Sequence, residues 1–85
     1  MTLNYWYKEC PFCRQGRLHL FEDITHNRLY LHCEECEWGW LNPHEASDPG
    51  RGFCTIDAEF ESKAVNMDTI RFYGWEEYAR HSYET

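Results

Sequence analysis

Four of the five cysteines in this 85-residue chain fall into two Cys-x-x-Cys pairs, Cys10-Pro11-Phe12-Cys13 and Cys33-Glu34-Glu35-Cys36, with 19 residues between them; Cys54 is left over. Two intervening residues let a tight turn aim both sulfurs at one point. Nineteen residues are enough for a hairpin that brings the second pair opposite the first. Cys10, Cys13, Cys33 and Cys36 so placed form a tetrahedral four-thiolate site, for which zinc is the expected ion, one per chain. Protein ligands then fill the coordination shell, so no position remains for water or substrate and the ion is structural.

Other chemistries for the same sulfurs have specific requirements. Two disulfides need an oxidising compartment, and a thioredoxin-like redox pair needs one Cys-x-x-Cys near a βαβ pattern, which is not found here. Iron shares the ligands and the geometry. Rubredoxins, however, usually have Gly after the second cysteine of each pair, where this chain has Arg14 and Glu37. His32, adjacent to Cys33, is an alternative ligand. The remaining histidines, His19, His26, His44 and His81, share no paired ligand spacing with it and read as solvated or hairpin-face rings. Cys54 lies among apolar residues and reads as a buried, inert thiol. No catalytic residue is expected, and the chain reads as a non-enzyme.

The two Cys-x-x-Cys turns, flanking two short strands, resemble the knuckles of a zinc-ribbon protein over residues 5–41, about half of the chain. The resemblance implies two knuckles, a small antiparallel sheet and a structural zinc. It implies no single function, because such ribbons serve transcription factors, ribosomal proteins, enzymes and adaptors alike.

The elements that must position the cysteines are partly legible. Leu18 and Leu20, then Leu29 and Leu31, alternate with His19, Tyr30 and His32, which predicts strands at 17–22 and 28–33 joined by a turn from Asp23 to Asn27. Trp38-Gly39-Trp40-Leu41 suits a third strand. Asn42-Pro43-His44-Glu45 resembles a helix start, with Asn as cap, Pro at the first position and Glu45 reaching back. The breaker cluster Asp48-Pro49-Gly50-Arg51-Gly52 divides a ribbon at 1–47 from an extension at 48–85, packed on it as one domain. In that extension Cys54, Ile56, Ala58 and Phe60 alternate like a strand, while Ile56, Phe60, Ala64 and Met67 also suit a helical face; extended structure is the expectation. Asp68 can cap a helix through Tyr73, Gly74 interrupts it, and Trp75, Tyr78, Ala79 and Ser82 share a face in the turns that follow. Ile70, Phe72, Trp75 and Tyr78 are expected to dock on the ribbon. The fold class is small α+β: a zinc ribbon with an antiparallel sheet and a short C-terminal helical segment.

Charge narrows the partner. Fifteen acidic residues outnumber eight basic ones, giving −7 at pH 7. A dication held by four thiolates takes the total to about −9. Nucleic-acid backbones are bound by displacing counterions with Lys and Arg, so this balance disfavours them, and Arg14, Arg17, Arg28, Arg51, Lys63, Arg71 and Arg80 are scattered along the chain. A basic protein fits better. Aromatics make up 18% of residues, more than so small a core fully buries. Glu34, Glu35 and Glu37 with Trp38 and Trp40 are therefore the expected partner-binding surface of a protein-interaction module. Its concrete form is an inhibitor or immunity protein facing a basic partner such as a nuclease toxin. The alternative is a ribbon stacking single-stranded bases on Arg17, His19, Arg28, Tyr30 and His32. No apolar run approaches the roughly 18–20 residues of a membrane span, and residues 1–8 lack a signal-like pattern, so a cytoplasmic location is expected.

Overall fold

A two-stranded hairpin organises the molecule. The computed structural model describes residues 3–57 and 59–84. Strands β1 (Leu3–Glu9), β2 (Arg17–Asp23), β3 (Arg28–Cys33), β4 (Trp38–Trp40), β5 (Phe53–Cys54), β6 (Ser62–Ala64) and β7 (His81–Glu84) form one antiparallel sheet in the order β5-β4-β3-β2-β1-β7, with β6 also paired to β2. The central hairpin matches the strands and turn read from the alternation. Its turn is closed by Asp23, whose Oδ1 accepts from the His26 backbone N–H at 3.1 Å and whose Oδ2 meets Arg28 Nε at 2.9 Å.

Both faces of this hairpin are covered, which is why its alternation reads apolar on one side and aromatic on the other. On the first face Leu18, Leu20, Leu29 and Leu31 are buried with Trp40, Ala46, Val65 and Ile70. Each fully buried aliphatic side chain there contributes about 1.5–3 kcal/mol. On the second face Tyr30 is 2% exposed, with Phe53 and Phe60 packed against its ring and Phe21 edge-on to it. Residues 53–64 thus leave the β4 edge, cross the second face over Tyr30 and pair as β6 with the far end of β2.

Several expectations change. β1, with Tyr5, Trp6 and Tyr7, is a strand that alternation did not reveal, because neighbours on both sides make its residues half-buried without a period. Asn42 caps its helix as expected, its Oδ1 accepting from His44 N–H, but the helix is a single 3-10 turn and Glu45 reaches forward to Arg51 at 3.0 Å instead of back. Only Phe53–Cys54 of the 53–60 segment is strand; a 3-10 turn follows at Thr55–Asp57, and Ala58 lies outside the described residues.

The C-terminal helix α1 (Met67–Phe72) is capped by Asn66, not Asp68: the Asn66 Oδ1 accepts from Thr69 N–H at 2.8 Å. It ends where Gly74 adopts φ 76°, a conformation open to glycine. At six residues it depends on tertiary packing, which Ile70 supplies by complete burial. Phe72 is 82% exposed and does not dock, while Tyr78 and Trp75 do. Ser82 belongs to β7, so it shares no helical face with Trp75.

Candidate metal centre

The hairpin delivers the second cysteine pair to the first. Cys10 follows β1, Cys33 ends β3 opposite Leu18, and Cys36 precedes β4. Each pair sits in a turn. In the first, Arg14 N–H donates to the Cys10 carbonyl at 2.9 Å and Cys10 N–H to the Gly16 carbonyl at 2.8 Å. In the second, the N–H groups of Glu35 and Cys36 both lie 3.4 Å from Cys33 Sγ. Arg14 and Glu37, the residues after each pair, both take left-handed conformations, φ 58° and 60°. Both turns therefore form without the glycine that would take such a conformation freely, at about 1 kcal/mol of strain each.

The four sulfurs lie within 4.8 Å of one another, with Cys10 and Cys36 Sγ 3.7 Å apart and Cys13 and Cys33 Sγ 3.6 Å apart. A tetrahedral ion with bonds of about 2.3 Å requires sulfur–sulfur separations of about 3.8 Å. The spacing fits such an ion. It is far beyond the ~2.05 Å of a disulfide, and all five cysteines are free thiols. The cluster can hold one metal ion, and its all-sulfur donors make zinc the foremost choice.

Electrostatics make the same point. Cys10 and Cys33 are fully buried, Cys13 and Cys36 partly. Burial pushes the Cys33 thiol well above its ordinary range and raises Cys36 too. Burial also opposes ionisation of Cys13, yet the backbone N–H groups of Gln15 and Gly16, with the Cys33 and Cys36 thiols, bring it down to about 7. One thiolate is thus available near neutrality, while four in this volume require a bound cation.

The surroundings redistribute the other candidate residues. Glu34 is gripped by Arg17, whose Nε and Nη2 lie 2.7 and 3.0 Å from its carboxylate; this bond, against partial burial, holds the Glu34 carboxyl below its usual range. Glu35 is exposed. Glu37 Oε2 meets His32 Nε2 at 3.1 Å. Trp38 is half-buried, with Phe12 stacked on it at 5.0 Å between ring centres. Trp40 is a correction: it is 0% exposed, and its indole N–H donates to the Asp48 carbonyl at 3.0 Å, so it belongs to the core and not to a surface. Phe12 and Ile56, 54% and 72% exposed, are among the apolar residues at the surface instead. A residue at the tip of a Cys-x-x-Cys turn must point outward, so Phe12 could have been found from its place between two ligands.

The five histidines are all engaged within the fold. His26, His44 and His81 are exposed rings set against Asp23, Tyr78 and Trp6, whereas on the second face His19 is buried and His32 half-buried. His32 is turned to Glu37 and, among the described residues, the ligand group consists of the four cysteines alone. Cys54, half-buried on β5, stands apart from it. Of the residues expected to stack bases, Tyr30 and His19 are covered, which corrects their place on a surface, while Arg28 is paired to the buried Asp23 and Arg17 to Glu34. Among the described residues no helix is long and apolar enough to cross a membrane. No family model, no curated protein and no solved structure matches this chain.

Proposed function

We propose that the chain is a non-enzymatic module of zinc-ribbon type, folded around one structural zinc, that works by binding a basic protein. The observation that carries this reading is the fate of its cations. Arg17, Arg28, Arg51, Lys63 and Arg71 all form ion pairs within the chain, Lys8 and Arg80 lie over the Tyr7 ring, and only Arg14, exposed, is in neither group among the described residues. Glu35, Asp57, Glu59 and Glu61 remain exposed with no cation against them among the described residues. With fifteen acidic residues against eight basic ones the outward field is negative on balance, and bound zinc with its four thiolates would add to it. Such a field speeds association with a positive surface and repels phosphate backbones.

Phe12 and Ile56 supply apolar contact beside the acids, the role for which Trp40 is unsuited. A zinc with four thiolate ligands has no open position, so it holds the knuckles together and takes no part in chemistry. An inhibitor covering the basic substrate groove of a nuclease toxin is the most specific form of this function. The test is binding of the zinc-loaded chain to an arginine-rich peptide and, separately, to single-stranded oligonucleotide. Salt-sensitive affinity for the peptide with none for the oligonucleotide supports the reading; the reverse pattern overturns it.

A further inference from the structure

The second knuckle is tied to the C-terminal strand through one arginine. Three donors of Arg17 converge on the Glu34 carboxylate: its backbone N–H at 3.1 Å, Nε at 2.7 Å and Nη2 at 3.0 Å. Glu34 N–H returns a bond to the Arg17 carbonyl at 3.4 Å. Glu34 stands between two ligands, Cys33 and Cys36, so this grip fixes the turn that aims their sulfurs.

Arg17 is itself held from the other side. Its guanidinium carbon lies 4.3 Å from the centre of the Tyr83 ring and 5.7 Å from that of Trp6. The Tyr83 hydroxyl reaches His19 Nε2 at 2.6 Å. Burial lowers the pKa of His19, which favours the neutral ring at this contact. Tyr83 sits in β7, which pairs with β1 from Leu3 to Trp6, while His81 stacks on Trp6 at 4.2 Å. The contacts form a continuous line from β7 through Tyr83 and Arg17 to the residue between two cysteines.

We propose that Arg17 and Tyr83 are positioning residues for the metal centre, so that docking of β7 and closure of the second knuckle on its ion are coupled. The inference rests on the reading of the four cysteines as a zinc site. Groups that orient metal ligands from outside the coordination shell commonly change metal affinity 10–100-fold when lost. Linkage makes the effect reciprocal: whatever β7 adds to metal retention, the metal adds to β7 docking.

Because any destabilised variant of a metal-dependent fold loses affinity, the decisive readout is the rate at which chelator strips zinc from the folded, loaded chain. Arg17→Lys keeps the charge but loses the fork, and Tyr83→Ala removes the ring beneath it. Tyr83→Phe keeps the ring and loses only the bond to His19. Ile70→Val, in the first-face core, is the control for general destabilisation. The expected result is zinc release at least tenfold faster in Arg17→Lys and Tyr83→Ala, partial rescue in Tyr83→Phe, and a wild-type rate in Ile70→Val. Amide exchange in β7 should quicken when zinc is removed from the wild type. Wild-type release rates in both Arg17→Lys and Tyr83→Ala, or an equal acceleration in Ile70→Val, would overturn the coupling while leaving the zinc site intact. A wild-type chain that takes up no zinc would overturn the underlying reading instead.

Discussion

Gly16 lies against Cys33: a Cβ on Gly16 would stand 2.6 Å from the Cys33 Sγ and 2.9 Å from Glu35 Cγ. The close approach is where one knuckle packs on the other, and it leaves no room for a side chain. Gly16→Ala must displace a metal ligand, and Cys33 Sγ is too buried to move aside freely. The expected outcome is a loss of zinc affinity of about tenfold or more, measured by competition with a chelator, the size expected when ligand orientation is disturbed.

Arg14 predicts the opposite sign. Its left-handed backbone, φ 58°, is costly for any residue with a Cβ and free for glycine. Arg14→Gly should stabilise the loaded chain by about 0.5–1 kcal/mol in urea unfolding, the relief of strain being partly offset by the freer unfolded chain. Glu37→Gly relieves the same strain at φ 60° but gives up the contact with His32, so its gain should be smaller.

These two positions show how far the sequence could be read. The ligands were legible because thiol chemistry and spacing act locally, and the hairpin because its two faces meet different cover, aliphatic on one side and aromatic on the other. Trp40 was misplaced because burial depends on what crosses above it, and Asp48, whose carbonyl it binds, belongs to a breaker cluster with no periodic signal. β1 and β7 were invisible for a similar reason: their pairing joins residues 3–6 to 81–84, a relationship no local pattern encodes. The cap of α1 moved from Asp68 to Asn66 because both residue types cap well and only the packing of Ile70 sets the helix phase.

Trp40 separates core from surface. Trp40→Ala removes a fully buried indole and one of the two hydrogen bonds to the Asp48 carbonyl, the other coming from Arg51 N–H, so it should cost about 3–5 kcal/mol of stability. Phe12→Ala, at an exposed turn, should leave unfolding nearly unchanged and weaken binding to the arginine-rich peptide. Calorimetric unfolding and peptide titration of both variants check the pair of outcomes.

Acid should weaken the fold in two windows. Burial lowers the pKa of His19, with Glu34 opposing, so the folded ring stays neutral while an unfolded histidine titrates near about 6.5. Between those values the unfolded chain holds the extra proton, and stability falls as pH drops through about 6.5 before levelling below the folded value. For Asp23, burial would raise the pKa, but the bonds from His26 and Arg28 outweigh it and hold the carboxyl low. Its contribution is present above about 3.9 and is lost as pH falls through the folded value. His19→Gln should shrink the first window, to which His32, its pKa likewise lowered by burial against Glu37, also contributes, and Asp23→Asn should flatten the second, both read from urea midpoints across pH.

The central claim is that four cysteines hold one zinc on which the fold depends. Metal content of the full chain purified without added metal tests it most directly, with Cys33→Ser alongside. The account predicts a colourless protein carrying one zinc per chain, and a Cys33→Ser variant that loses both the metal and cooperative unfolding. A wild-type chain that unfolds cooperatively without metal, or one that carries iron in the same site, would contradict it.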